Sequence, residues 1–153
     1  MIEVNNISFR YKGTKRNIFT DFSLKLEANN IYGLLGKNGT GKSTLLYLIS
    51  GLLRPKTGNV IIDGNEATLR LPDMLKEIFL VPEEFVLPSV TLNTYVKMNE
   101  PFYPRFSHNV LESCLKDFDL PLSLKLNELS MGQKKKVFMS FRQRFPMYFT
   151  NHI

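Results

Sequence analysis

The sequence predicts an α/β fold, and three observations carry that expectation. An apolar run, Ile31 to Leu35, reads as a strand. Behind it Gly36-Lys37-Asn38-Gly39-Thr40-Gly41-Lys42-Ser43 forms a glycine-rich loop ending in Lys-Ser. Leu45, Leu46, Leu48 and Ile49 then recur at helical spacing, with Gly51 placed to stop the helix. Strand, loop and helix in this order set the octapeptide apart from a chance Gly-rich turn.

The residue types in the loop point to a nucleoside triphosphate. Glycines let backbone N–H groups converge on phosphate oxygens, and the helix N-terminus that follows supplies unpaired donors and the positive end of a dipole. Asn38, Gly39, Thr40, Gly41, Lys42, Ser43 and Thr44 are the candidate nucleotide contacts. Lys42 would reach the terminal phosphates, and the Ser43 hydroxyl would hold Mg²⁺, which favours oxygen ligands.

Bulk properties set the limits. At 153 residues and 43% hydrophobic content the chain suits one globular domain with a core. The formal charge of +6 comes from scattered Lys and Arg with one run, Lys134-Lys135-Lys136, and does not nominate nucleic acid as a partner. No leader pattern follows Met1, and no apolar segment is long enough to span a bilayer, so a cytosolic or peripheral location is expected. Cys114 lies among Leu111, Leu115 and Phe118 at helical spacing, which predicts a buried thiol.

Two early strands precede the loop: Ile2, Val4, Ile7 and Phe9 alternate imperfectly, Phe22, Leu24 and Leu26 more cleanly before Asn29-Asn30. They predict an antiparallel flap leading into the α/β core. After the first helix, Val60-Ile61-Ile62 closed by Asp63-Gly64 reads as a strand, as does Ile78-Phe79-Leu80-Val81 ended by Pro82. The pattern then turns helical. Thr91 is placed to cap a helix carrying Leu92, Tyr95 and Val96, and Ser107 one carrying Val110, Leu111, Cys114, Leu115 and Phe118.

Leu129-Ser130-Met131-Gly132-Gln133 stands at the start of another helical stretch. Together with the phosphate loop, in this order, it resembles the signature sequence of ATP-binding cassette (ABC) transporters, whose common form is Leu-Ser-Gly-Gly-Gln. Met131 departs from that form at its permissive middle position. The resemblance implies a P-loop nucleoside triphosphatase core with an N-terminal β flap and a helical subdomain at about 84–128. It implies that Tyr11 stacks on adenine. It also places Glu83 where the family has a Gln that touches Mg²⁺ and the attacking water, so Glu83 becomes a candidate metal and catalytic residue. Ser130, Gly132 and Gln133 would serve ATP held by a second cassette, in a head-to-tail dimer that sandwiches two nucleotides. A transmembrane permease is the further implied partner, which would hold the chain at the inner face of the plasma membrane.

The family pattern then breaks off. Family members continue into an apolar strand ending in Asp, a Glu that polarises water, a further strand and a His that senses the γ-phosphate. Here no Asp or Glu follows Glu128, so the second magnesium carboxylate and the general base are not expected. Residues 141–153 mix Arg and aromatics without helical or strand periodicity, Pro146 interrupts them, and His152 reads as a tail residue. The expectation is a partial cassette over 1–140, its reading frame interrupted after about Ser140 and its C-terminal core strands missing. Two functions compete: the ATP-binding subunit of a transporter, and a nucleotide-binding fragment that does not hydrolyse. A different phosphate-loop enzyme, such as a kinase or GTPase, fits less well, because no Asn-Lys-x-Asp guanine reader is present.

Overall fold

The computed structural model describes residues 1–81, 85–102, 106–141 and 147–150. The chain divides into two compact units, Met1–Leu80 and Val81–His152.

The first unit is built on an antiparallel sheet of order β2-β1-β3-β4, from Ile2–Phe9 (β1), Phe19–Leu26 (β2), Thr57–Ile62 (β3) and Asn65–Glu66 (β4). Ile2 and Val4 pair with Leu26 and Leu24 on one side and with Ile62 and Val60 on the other. The imperfect alternation of β1 has a structural cause. A register shift falls between Val4 and Ile7, where Asn6 takes a left-handed backbone with φ 47°. The extra residue re-phases the strand, so that Ile2, Val4, Ile7 and Phe9 are all buried. Side chains satisfy the interrupted ladder: the Asn6 N–H donates to Ser23 Oγ at 2.9 Å, and Asn6 Nδ2 donates to Asp21 Oδ1 at 2.8 Å.

Helix α1, Lys42–Ile49, packs on β3 and buries Thr44, Leu45, Leu46, Leu48 and Ile49. Gly51 follows its end in the left-handed conformation, φ 69°, as the sequence predicts for a helix stop. A single turn, Pro72–Leu75 (α2), leads to the short strand Ile78–Val81 (β5). The Lys76 ammonium hydrogen-bonds to Asp73 and holds that carboxyl below its usual value. That contribution is present at neutral pH and is lost as acid titrates the carboxylate, and salt screens it because the pair is exposed.

The expected strand at Ile31–Leu35 does not form. Residues 27–41 have no regular structure up to α1, and Ile31 and Leu35 are 103% and 94% exposed. The segment has strand-like residues but no ladder neighbour among the described strands, and a lone strand leaves its backbone groups to water.

The second unit is helical: Leu92–Asn99 (α3), His108–Asp117 (α4) and Met131–Phe141 (α5). Thr91 caps α3 as expected, its hydroxyl accepting from the Thr94 N–H at 3.2 Å. Leu92, Val96, Leu111, Leu115, Leu120, Leu126, Leu129 and Val137 form one core, with the Phe85 and Phe138 rings edge to face at 4.5 Å. Cys114 is half-buried rather than enclosed, and Val110 is exposed, because α4 turns only its Leu111–Leu115 edge inward. Met147–Thr150 forms a strand (β6), contrary to the aperiodic tail expected there. Tyr148, Phe149 and Thr150 all favour extended backbone, and β6 has what Ile31–Leu35 lacks, a ladder partner.

Gly58 sits at φ 74° beside the β1 bulge, where a Cβ would lie 2.2 Å from the Asn5 carbonyl oxygen. Gly58→Ala is therefore expected to destabilise the first unit by more than the ~1–2 kcal/mol of a left-handed non-glycine residue alone, read as a lower urea midpoint.

Candidate nucleotide-binding site

The loop from Gly36 to Gly41 is shaped by two left-handed glycines, Gly39 at φ 80° and Gly41 at φ 102°. Lys37 O is its internal anchor. It accepts from the Thr40 N–H at 3.3 Å, from Thr40 Oγ1 at 2.8 Å and from Lys42 Nζ at 3.1 Å. The Lys42 ammonium also donates to Gly36 O at 2.7 Å, folding back over the loop it follows. The residues from Gly36 to Thr40 face solvent.

Gly41 is the N-cap of α1 and has no side chain with which to cap it, and the first turn carries no acidic residue. The first intrahelical bond runs from the Leu45 N–H to Gly41 O at 2.8 Å. The helix start thus lacks both the side-chain cap and the carboxylate that usually offset its positive end. Gly41 is also a steric necessity. A Cβ there would lie 2.5 Å from Ile18 Cγ2 and 3.1 Å from Phe19 Cζ, so the β1–β2 connection closes directly onto the helix start.

That connection carries Tyr11, whose ring lies edge to face with Phe9 at 5.0 Å and whose hydroxyl meets Thr44 Oγ1 at 3.0 Å. Arg10, Lys12, Lys15 and Arg16 surround Tyr11 in sequence and are all exposed. They give this edge of the unit a positive potential suited to anions.

In the second unit, Ser130 and Gln133 form a reciprocal capping box at the start of α5. The Gln133 N–H donates to Ser130 Oγ at 3.2 Å, and the Ser130 N–H donates to Gln133 Oε1 at 3.0 Å. Ser130, Met131 and Gly132 are exposed, and Lys136 lies over the Phe118 ring at 5.5 Å.

A family model described as ABC transporter matches residues 19–141. The chain belongs to the ABC transporter family. It is 31% identical over 138 residues to the ABC transporter ATP-binding protein YtrB of Bacillus subtilis, covering 90% of this chain and 46% of that one. It is 33% identical over 104 residues to the toxin RTX-I translocation ATP-binding protein of Actinobacillus pleuropneumoniae, covering 67% of this chain and 15% of that one. Among solved structures, a putative ABC transporter ATP-binding protein from Pyrococcus furiosus superposes with a TM-score of 0.74 at 29% identity, over 91% of this chain and 68% of its own. The cassette MJ0796, in a dimeric post-hydrolysis state bound to ADP and Pi, superposes with a TM-score of 0.72 at 25% identity, over 92% and 68%. The chain therefore spans less than half the length of these two curated relatives and about two thirds of the two solved cassettes.

Within this ABC cassette, the first unit brings Tyr11 against Thr44, which follows Asn38, Gly39, Thr40, Gly41, Lys42 and Ser43 along the loop and the first turn of α1. Ser130, Gly132 and Gln133 cluster in the second unit. Glu83 and its neighbour Glu84 lie outside the described residues, as does His152. The sequence reading missed Ile18 and Phe19 as the wall behind Gly41, the basic turn at 10–16, and the Ser130–Gln133 box. The box alone was legible, as a Ser-x-x-Gln pattern before a helix. Among the described residues no helix is long and apolar enough to cross a membrane, and no cluster of three metal-ligating side chains occurs.

Ser130→Ala is expected to destabilise α5 by about 0.5–2 kcal/mol, the usual cost of a lost N-cap. Urea denaturation measured without nucleotide isolates this effect from any ligand role.

Proposed function

We propose that this chain binds Mg-ATP as the ATP-binding part of an ABC transporter, with the phosphate loop and the first turn of α1 as the main contact. The observation that carries this reading is the uncapped N-terminus of α1 behind two left-handed glycines, a ready set of backbone donors for an anion. Asn38, Gly39, Thr40 and Gly41 surround the phosphates with backbone, and Lys42 exchanges its carbonyl partners for phosphate oxygens. Thr44 supports the turn, and Tyr11 offers its ring to adenine.

The residues suit Mg²⁺ arriving with the nucleotide rather than alone. Ser43 would supply one oxygen at the helix start and the phosphates others, in line with the preference of Mg²⁺ for oxygen ligands, and the ion would lower the charge on the terminal phosphates. Glu83 is the second candidate ligand. Ser130, Gly132 and Gln133 face a nucleotide held by a second cassette. The Ser130 hydroxyl accepts from Gln133 within its box and keeps its own proton to donate. A membrane permease completes the assembly, at the cytoplasmic face.

The alternative reading is a binding module that holds the nucleotide without hydrolysing it.

Calorimetric titration with Mg-ATP tests the proposal. The full chain is expected to bind, and Lys42→Ala to weaken binding about tenfold to a hundredfold, the range for losing a hydrogen bond to a charged group. Equal affinity in the two proteins would contradict it. Single-turnover phosphate release above the Lys42→Ala background separates the hydrolysing subunit from the binding module.

A further inference from the structure

Tyr11 is held at three places. Its carbonyl accepts from the Thr14 N–H at 3.2 Å and from Thr14 Oγ1 at 2.9 Å, which fixes the turn that carries it. Its ring packs edge to face with Phe9, itself buried in the sheet. Its hydroxyl is set by Thr44, which is only 6% exposed in the first turn of α1. Tyr11 nevertheless remains 39% exposed. A surface tyrosine with two free torsions loses rotamer freedom when a planar ligand stacks on it; this one has lost it already.

We propose that Thr44 is a positioning residue for Tyr11: the hydroxyl pair joining them holds the phenol ring ready as a stacking face beside the phosphate loop. This inference rests on the ATP-binding reading and adds to it a coupling between the two ends of the nucleotide. The base platform is tied through one hydrogen bond to the helix whose first turn receives the phosphates. A hydroxyl has one proton and two acceptor sites, so Thr44 Oγ1 holds Tyr11 and keeps capacity for a further partner. The gain is one of preorganisation, because base and phosphates find both of their sites at fixed separation before binding.

The test compares Mg-ATP with inorganic Mg-tripolyphosphate, which has no base, on the full chain. Tyr11→Phe keeps the ring and its contact with Phe9 and removes only the hydroxyl. It is expected to weaken ATP binding about two- to tenfold, the range for one neutral hydrogen bond, and to leave tripolyphosphate binding unchanged. Thr44→Val removes the other partner, and Tyr11→Phe introduced into that background is expected to have no further effect on ATP, so the two changes couple in a double-mutant cycle. The proposal is overturned if Tyr11→Phe binds ATP like the unmodified chain, if it weakens tripolyphosphate as much as ATP, or if the two substitutions simply add. If instead Lys42→Ala binds both ligands normally, the phosphate-loop reading itself fails.

Discussion

The fit of Gly41 between the start of α1 and the β1–β2 connection is the constraint on which the rest of this site depends. Only a residue without Cβ lets Ile18 and Phe19 come this close, and only glycine adopts φ 102° without strain. The same absence of a side chain leaves the helix without a side-chain cap, so the steric requirement and the uncapped helix start have one cause. Lys42, next in sequence, fills the space above the loop with an ammonium group held by Gly36 O and Lys37 O. The loop thus satisfies this cation with its own carbonyls. In the proposed binding mode a triphosphate would compete for that ammonium and provide an anion for the helix terminus in the same step.

The flap does more than cover one side of the first unit. Its bulge at Asn6 keeps Ile7 and Phe9 in the core, and Phe9 in turn packs edge to face with Tyr11. A chain of packing therefore runs from a left-handed asparagine in β1 to the ring beside the loop. In the second unit, Ser130 and Gln133 are committed to each other's backbone, so the residues that identify the family also begin the helix that bears them. The cap accounts for Ser at position 130, and Met131, which is exposed, takes no part in it.

Much of the local structure was legible in the sequence because it is set by short-range chemistry. The glycine spacing of the loop, the Thr91 cap, the Gly51 stop and the Leu111–Leu115 stripe each need only neighbouring residues, and each is found where expected. Ile31–Leu35 was misread because strand propensity is not a strand: pairing needs a neighbour, and none of the described strands lies alongside. The tail erred in the other direction, with Met147–Thr150 extended despite its lack of alternation. The Tyr11–Thr44 bond and the Ile18–Gly41 contact join residues far apart in the chain, and no local pattern announces them. The cassette's family was legible from two short motifs; the supports that make its phosphate loop rigid were not.

The most direct measurement of the central claim is a two-dimensional amide NMR titration of the ¹⁵N-labelled full chain with Mg-ATP. The largest shifts are expected on the N–H groups from Gly39 to Thr44, where backbone donors would meet phosphate. Saturable binding with those amides unmoved, and the changes centred elsewhere in the chain, would contradict that claim.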